Sequence, residues 1–290
     1  MNKSKINYCD RVWNVTGGCT HCSPGCLHCW AEQLTATRFK DKPRYAGLTV
    51  DGKWTGKIKL FEDRLEQPLH IRKPQVIFVN SQSDLFHPDV PFWFIAEIYK
   101  VASFTERHKY LLLTKRPECA LEFFKWFDGA YLLFGDKNAK YQSKPWPVPN
   151  IYPGLTICTP DELWKLESFL QIPGHKWLSI EPMLSDIVIP QEQLKQLSQV
   201  IVGGESGSGA RPMHPDWPRS LRDQCVAAKT GRSIIDYGKP HCGRRYLELQ
   251  DSGVPFFFKQ WGQKKAGRLL DSVEHNELIW RALSTAEGRA

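Results

Sequence analysis

The sequence predicts an α/β protein with a parallel sheet, either open or closed into a barrel. Short apolar runs alternate with longer amphipathic stretches along most of the 290 residues, which is the pattern of repeated strand and helix units. The runs are apolar at nearly every position, as in strands that are covered on both faces. With 41% hydrophobic residues, the chain can bury the core of one large domain or of two small ones.

Seven apolar runs predict strands, and four longer stretches predict helices. The strand segments are 12–15, 76–80, 110–114, 154–158, 177–180, 199–202 and 255–259. The helical segments are 91–104, 118–127, 160–170 and 215–228. Six or seven such units predict a partial (β/α) barrel of the TIM type, with residues 1–290 as a single domain. The stretches 128–150 and 229–253 break the alternation and are predicted to be inserted loops.

Four cysteines stand within eleven residues, at Cys19, Cys22, Cys26 and Cys29. Thiolates are soft ligands that select iron–sulfur clusters, zinc or copper(I). A four-thiolate zinc site normally draws two Cys-x-x-Cys pairs from segments roughly 12–20 residues apart, whereas only a few residues separate the pairs here. So tight a loop can present three thiolates to the corners of a cubane cluster, which spreads its ligands wider than one zinc ion does.

Other uses of cysteine remain as alternatives. Disulfides need an oxidising compartment, but the chain opens Met-Asn-Lys-Ser-Lys with no apolar signal segment, and its Cys count of 9 is odd. A structural zinc site would use all four thiolates of the loop. Four cysteines outside the loop are expected to be small buried hydrophobes: Cys9, Cys119, Cys158 and Cys225.

Several segments resemble a known family. Trp13 to Cys19 reads Trp-Asn-Val-Thr-Gly-Gly-Cys, and Cys29 to Glu32 reads Cys-Trp-Ala-Glu. Further matching segments are 78–86, 113–117, 179–182, 202–207, 210–215 and 256–262. Together they resemble an uncharacterised, largely phage-encoded three-cysteine family that is similar to radical S-adenosylmethionine (SAM) proteins. The resemblance covers most of the chain and implies a partial barrel that holds a [4Fe–4S] cluster with one iron open for SAM.

The resemblance leaves one cluster ligand open. The trio of the three-cysteine family matches Cys19, Cys26 and Cys29, whereas the Cys-x3-Cys-x2-Cys spacing of radical SAM enzymes has Cys22 as its first ligand. The implied activity is reductive cleavage of SAM to a 5′-deoxyadenosyl radical that abstracts hydrogen from a substrate. The implied partners are a reductant such as flavodoxin or ferredoxin and a separate partner protein.

Polar or charged residues follow nearly every predicted strand. They are Ser81, Ser83, Asp84, Lys115, Arg116, Thr159, Glu181, Glu205, Lys259 and Gln260. The chemistry of parallel barrels collects at the carboxyl ends of the strands, so these side chains are expected to converge. Those expected to be catalytic are Asp84, Lys115, Glu181, Glu205 and Lys259. Buried charges are costly unless they are paired. The basic strand-end residues are therefore predicted to neutralise the acidic ones, that is, Lys115, Arg116 and Lys259 to neutralise Asp84, Glu181 and Glu205.

The segment Gly203-Gly204-Glu205 resembles the Gly-Gly-Glu segment that holds the methionyl amino group of SAM in radical SAM enzymes. In those enzymes it follows the strand after the cluster loop, where this chain has Ser81, Ser83 and Asp84 instead. We therefore assign the amino group to these three residues. The segment 203–205 is expected to line the cofactor site, since its glycines allow the backbone to approach a ligand closely.

The net charge of +8 and a pI of about 9.0 favour anionic partners. Segment 38–73 holds ten basic residues against five acidic ones, and segment 229–245 holds five against one. Both contain aromatic residues, a combination that suits single-stranded nucleic acid, although two solvated surface loops are the alternative. Arg211 and His214 are further candidates to contact an anionic substrate group, His214 also as a proton donor.

Two classes of function therefore stand. One is a radical SAM-like enzyme of unidentified substrate, with a nucleic acid or nucleotide as the candidate. The other is a non-enzymatic nucleic-acid-binding protein whose cysteine loop holds structural zinc or an iron–sulfur cluster. No run approaches the ~20 apolar residues that cross a bilayer, so no membrane partner is expected. Without a targeting segment, the expected location is the cytoplasm.

Overall fold

Strands and helices alternate along the chain in the computed structural model, which describes residues 1–130, 147–207, 209–229, 253–262 and 267–282. The strands are β1 (Asn2–Lys3), β2 (Arg11–Trp13), β3 (Thr16–Gly17), β4 (Thr49–Val50), β5 (Lys53–Trp54), β6 (Lys59–Leu60), β7 (Val76–Val79), β8 (Lys109–Thr114), β9 (Ile151–Thr156), β10 (Trp177–Ile180), β11 (Gln199–Gly203), β12 (Phe256–Gln260), β13 (Leu269–Leu270) and β14 (Val273–Glu274). The helices are α1 (Trp30–Thr37), α2 (Phe92–Phe104), α3 (Pro117–Ala130), α4 (Lys165–Leu170), α5 (Gln191–Leu194), α6 (Asp216–Ala227) and α7 (Ile279–Ala282).

Eight of these strands form one large sheet in the order β1-β2-β7-β8-β9-β10-β11-β12. Every neighbouring pair from β2 to β12 is parallel, whereas β1 pairs antiparallel with β2 at the edge. Helices α2 to α6 lie in the successive crossovers between β7 and β12. The predicted α/β class with a parallel sheet is confirmed.

All seven predicted strands are present, with ends that differ by a few residues. Strand β2 ends at Trp13 rather than at Val15. The reason is local, because the side-chain oxygen of Asn80 accepts the N–H groups of Val15 and Thr16 at 2.8 and 3.2 Å, in place of a strand partner. The predicted helix 160–170 is divided into a 3-10 turn at Pro160–Glu162 and the α-helix α4.

Both faces of the sheet are buried. Ile77 of β7 packs in a large core with residues of the crossover helices, whereas its neighbour Phe78 packs in a smaller core on the opposite face. Within that smaller core, the ring of Tyr8 lies 6.2 Å from the ring of Phe78 and 6.0 Å from the ring of Phe257 on β12. In a flat sheet, β7 and β12 would be five strand spacings apart, roughly 24 Å. The sheet is therefore strongly curved around its smaller core.

The curved sheet keeps two edges. These are β1 and β12, and no strand pairing joins them in the described ranges. The structure thus shows a large curved parallel sheet, and the predicted partial barrel is not confirmed.

The basic segment 38–73 folds into a small unit against α1. Strand β3 pairs with β6, and β4 pairs with β5. Between them lies an aromatic cluster built around Tyr45, Leu48 and Phe61. Glu32 of α1 accepts the backbone N–H of Trp54 at 2.8 Å. This bond ties the β4–β5 hairpin to the helix that directly follows the cysteine loop.

The two predicted insertions fall mostly outside the described residues, which leave out 131–146 and 230–252. The basic segment 229–245 therefore has no structural description beyond its first residue. None of the helices in the described ranges combines the length and the apolar composition that crossing a membrane requires.

Candidate functional site

One cavity of about 790 Å³ opens at the carboxyl ends of the parallel strands. It is lined by twelve of the thirteen residues that the sequence predicts as site residues: Cys19, Cys22, Cys26, Cys29, Ser81, Ser83, Asp84, Lys115, Glu181, Gly204, Glu205 and Lys259. The thirteenth, Gly203, lies directly behind the wall, where an added Cβ would stand 3.1 Å from Glu181 Oε1. Of the ten strand-end residues expected to converge, nine line this cavity and Thr159 does not, while the roles assigned to them stay predictions.

The cysteine loop, residues 19–29, connects the small β3 strand to α1 and covers one side of this cavity. Its middle is a 3-10 turn at Pro24–Cys26, whose first free N–H, that of Gly25, donates to Ser23 Oγ at 3.2 Å. Cys26 is buried, Cys19 and Cys29 are half-buried, and Cys22 is exposed. All four cysteines of the loop line the cavity.

Gly25 seats the cysteine loop on the end of β9. A Cβ added at this glycine would lie 2.4 Å from Cys158 Sγ and 3.2 Å from Pro182 Cδ. The Ser23 hydroxyl donates to the same sulfur at 3.9 Å. Cys158 is fully buried, as expected for a small hydrophobe. Its contact with the loop was not predicted, and the only signal was its place directly after a strand, in line with the other site residues.

Arg116 fixes the first end of the loop. Its guanidinium donates to the carbonyl and hydroxyl oxygens of Thr20 at 2.7 and 2.8 Å, and it approaches Cys19 Sγ at 3.8 Å. It also donates to Asp84 at 3.0 Å in a buried ion pair. The sequence predicted neutralisation of the strand-end carboxylates by the strand-end cations as a group, without assigning pairs. Arg116 thereby connects the end of β8 to the cysteine loop.

Asp84 is saturated by donors of the chain itself. Besides Arg116, it accepts the Thr114 hydroxyl at 2.8 Å and the backbone N–H groups of Lys115 and Phe86, both at 3.0 Å. Through these bonds, Asp84 connects the end of β7 to the end of β8. They also leave little capacity in the carboxylate for a ligand.

Ser81 and Ser83 are bonded to residues before and within β3. Ser81 donates to the Asn14 side chain at 3.2 Å, and the hydroxyls of Ser83 and Thr16 lie 2.7 Å apart. Both serines nevertheless line the cavity. Hydroxyls rotate and carry both donor and acceptor capacity, so these two can still serve a ligand.

Glu205 and Arg211 fix the other half of the loop. Arg211 bonds both oxygens of Glu205, at 2.5 and 2.9 Å, and donates to the carbonyl of Pro24 at 3.1 Å. His28 Nδ1 lies 3.0 Å from Glu205 Oε2. Burial alone would raise the pKa of Glu205, but bonds from Arg211, His28 and the Arg211 backbone outweigh burial and lower the pKa to about 2.

One prediction about this loop is wrong. Glu205 was expected to pair with one of the strand-end cations, but its carboxylate is bound by Arg211, which lies six residues further along the same loop. Gly204 lines the cavity, and a Cβ there would stand 2.0 Å from the carbonyl oxygen of Trp261. The glycine is required by the neighbouring chain segment. His214, a candidate proton donor, is 61% exposed and does not line the cavity.

A third ionic pair also lines the cavity. Lys259 Nζ lies 2.6 Å from Glu181 Oε1, one of the pairings open to the predicted group of cations and carboxylates. The other oxygen, Oε2, accepts the hydroxyls of Tyr8 at 3.2 Å and Ser179 at 3.0 Å. Burial, followed by the charge of Glu181, raises the pKa of Tyr8 well above its ordinary value. Sequence patterns did not single out Tyr8, because a lone aromatic residue near an N-terminus carries no site signal.

Lys115 stands among the sulfurs. Burial alone would lower the pKa of this lysine, but the negative charges of Cys158, Cys26, Asp84 and Cys29 outweigh burial and raise it. Lys115 was predicted to neutralise a carboxylate. Lys115 also lines the same cavity as the four cysteines of the loop, so it supplies positive charge to that cavity.

The donor set fits an iron–sulfur cluster. The interaction between the Cys22 and Cys26 thiols lowers the pKa of Cys26 and raises the pKa of Cys22. Thiolates are the ligands of such clusters, and the cations Arg116 and Lys115 compensate their charge. In the described part of the chain, no three Cys, His, Asp or Glu side chains lie close enough together to hold a single metal ion.

The fold and the site define an α/β protein with a cysteine-lined cavity at the carboxyl ends of a parallel sheet. Residues 3–241 match the family described as "Protein of unknown function (DUF5131)", and the chain belongs to that family. Comparison with curated proteins gave no match.

Among solved structures, the chain is similar to spore photoproduct lyase. Two mutants of that protein show TM-scores of 0.42 and 0.43 at 12% and 11% identity, each covering 84% of this chain and 70% of the other. A double mutant with bound AdoMet and dinucleoside spore photoproduct shows a TM-score of 0.37 at 11% identity, covering 82% and 68%. The likeness is remote at these values.

The seat of the cysteine loop can be tested by a compensating pair of substitutions. Gly25→Ala places a methyl 2.4 Å from Cys158 Sγ and should lower the unfolding free energy by about 1–3 kcal/mol in urea titrations. Cys158→Ala in the same chain removes that sulfur, so the double variant should be more stable than the two single losses added together. Additive losses would contradict the contact. Gly267→Ala, whose methyl would only reach ordinary contact with Trp261 at 3.5 Å, is the control.

The Glu205 network predicts a defined pH dependence. A carboxyl whose folded pKa lies near 2 contributes stability that is fully present above its ordinary pKa of about 4.3 and is lost as the pH falls towards 2. The difference in unfolding free energy between wild type and Glu205→Gln should therefore be constant above pH 5 and shrink below it. Glu192→Gln, at an 86% exposed carboxylate, should show little difference at any pH. A Glu205→Gln difference that stays unchanged down to pH 2 would rule out the depressed pKa.

Proposed function

We propose that this chain is a radical SAM-like iron–sulfur enzyme built on a partial (β/α) barrel. The observation that carries the proposal is that the cysteine loop and the ionisable residues at the carboxyl ends of β7, β8, β10, β11 and β12 line one cavity. A structural metal site needs no such cavity beside it. A catalyst needs room for a cofactor and a substrate next to its reactive group.

Three thiolates are assigned to the cluster, those of Cys19, Cys26 and Cys29. Cys19 is preferred over Cys22 because Arg116 stands 3.8 Å from its sulfur and fixes the adjacent Thr20. A cation beside a ligating sulfur both orients it and offsets its charge. Cys22 is exposed and has Cys26 as its neighbour, so it is assigned as a hydrogen-bond donor to that ligand.

A [4Fe–4S] cluster held by Cys19, Cys26 and Cys29 would supply the one-electron chemistry for reductive cleavage of SAM and hydrogen abstraction from the substrate, with a flavodoxin or ferredoxin as the reductant. The residues of the chain bind SAM and the substrate and orient them for this reaction. Ser81, Ser83 and Gly204 are assigned to the surroundings of SAM, and Asp84 positions them by fixing the ends of β7 and β8. The Glu181–Lys259 pair offers a polar wall to the bound molecules.

Metal and sulfide analysis of the anaerobically purified full chain tests the proposal. We expect about four irons and about four sulfides per chain, little zinc, and release of 5′-deoxyadenosine from SAM after reduction with dithionite. Cys26→Ala should abolish the cluster, whereas Cys225→Ala, at a buried cysteine far from the loop in sequence, should retain it. One zinc per chain without sulfide would contradict the proposal and favour a structural site. A cluster without SAM cleavage would contradict the enzymatic part.

The choice between Cys19 and Cys22 gives a separate prediction. Cys19→Ala should lose most of the iron and the absorbance of the cluster, whereas Cys22→Ala should keep both. The reason is that, of Cys19 and Cys22, only Cys19 contacts Arg116. Iron content and visible absorbance of the two variants, purified side by side, are the measurements. The reverse result would assign Cys22, and loss of the cluster in both would indicate a closed four-cysteine site.

A further inference from the structure

The mouth of the cavity differs from its interior in how its charges are paired. In the interior, the carboxylates Asp84, Glu181 and Glu205 are bound by Arg116, Lys259 and Arg211 respectively. The exposed part of the lining, called the mouth, holds Lys3 and Lys5 at the β1 edge of the sheet and Arg38 at the end of α1, and none of them has a carboxylate within 4.0 Å in the described part of the chain. Three cations without anionic partners at the entrance favour an anionic ligand there.

The same mouth carries aromatic rings. Trp30, at the start of α1, is 49% exposed, and Trp54 and Phe39 are half-buried beside it in the cavity lining. The bond from Trp54 N–H to Glu32 holds the β4–β5 hairpin against α1, which keeps Trp54 at the cavity. Phe39 stacks on Tyr45 with ring centroids 4.7 Å apart, so it is braced from behind. These rings and the three cations at 3, 5 and 38 are together called the rim.

From the rim we infer that the substrate of the proposed enzyme is a single-stranded nucleic acid. Cations that track a phosphate backbone, combined with aromatic rings that stack on bases, are the chemistry by which single strands are held. An acidic peptide would use the cations but leave the three rings without a partner. A duplex would keep its bases stacked on one another and out of reach of the rings.

The inference rests on the proposed function only where it makes the nucleic acid a substrate. Binding at the rim stands by itself, because it needs no cluster and no SAM. The rim adjoins the proposed active site, since Trp30 follows Cys29 directly and lines the same cavity as the cysteines. A nucleotide of a strand held at the rim therefore has a path to the interior groups.

The test is fluorescence anisotropy with labelled 12-nucleotide strands of DNA and RNA and with the corresponding DNA duplex, using the anaerobically purified full chain. We expect either single strand to bind more tightly than the duplex. Trp30→Ala should weaken binding roughly 5- to 150-fold, the range for loss of one stacked base. Arg38→Gln should reduce the slope of log K against log salt by about 0.7, the value for one phosphate contact on a single strand.

Matched controls separate the rim from general surface effects. Trp93→Ala removes a tryptophan that is also 49% exposed but lies on α2, away from the cavity. Lys125→Gln removes an exposed cation on α3. Both should leave affinity and salt slope unchanged. Absence of binding, equal binding of the duplex, or equal effects of rim and control variants would overturn the inference.

Failure of this inference is distinguishable from failure of the proposed function. Iron, sulfide and 5′-deoxyadenosine are measured on the same preparations. If the chain cleaves SAM but binds no single strands through the rim, the nucleic acid substrate is ruled out and the proposed enzymatic activity stands. If the chain binds single strands through the rim but carries no cluster, the binding surface is supported and the proposed radical SAM activity is ruled out.

Discussion

The site depends most on the buried ion pair between Arg116 and Asp84. Asp84 gathers donors from the residues after β7 and β8, and Arg116 extends this group to Thr20 and Cys19. Both side chains are nearly excluded from water, at 10% and 8% exposure. Removal of one partner of such a pair leaves an uncompensated buried charge, at a cost of about 3–5 kcal/mol. The first end of the cysteine loop is therefore held by the same interaction that joins two strands of the sheet.

A second network holds the loop from the other side. Arg211 connects Glu205, after β11, to the carbonyl of Pro24, and His28 contacts the same carboxylate. Between the two networks, Gly25 rests on Cys158 with no room for a side chain. A loop fixed at both ends and at its middle presents its sulfurs in one arrangement. Such preorganisation by supporting contacts is what tunes and orients ligands in metal sites.

Sequence patterns predicted the large elements because strands of a buried parallel sheet are apolar on both faces. They did not predict the two-residue strands of segment 38–73, which are too short to show a period. The convergence of Asp84, Lys115, Glu181 and Lys259 was predictable from their place after strands. The partner of Glu205 was not, because it lies in an irregular loop. Tyr8 and Cys158 were missed, since contacts across the curved sheet leave no local pattern.

The cluster proposed for the cysteine loop would have one iron open to SAM. Electron paramagnetic resonance of the reduced full chain, recorded with and without SAM, tests it most directly. We expect the signal of a reduced [4Fe–4S] cluster whose g-values shift when SAM is added, because SAM would bind the open iron. A reduced cluster whose signal is unchanged by SAM, or a zinc-loaded chain with no signal, would contradict the account.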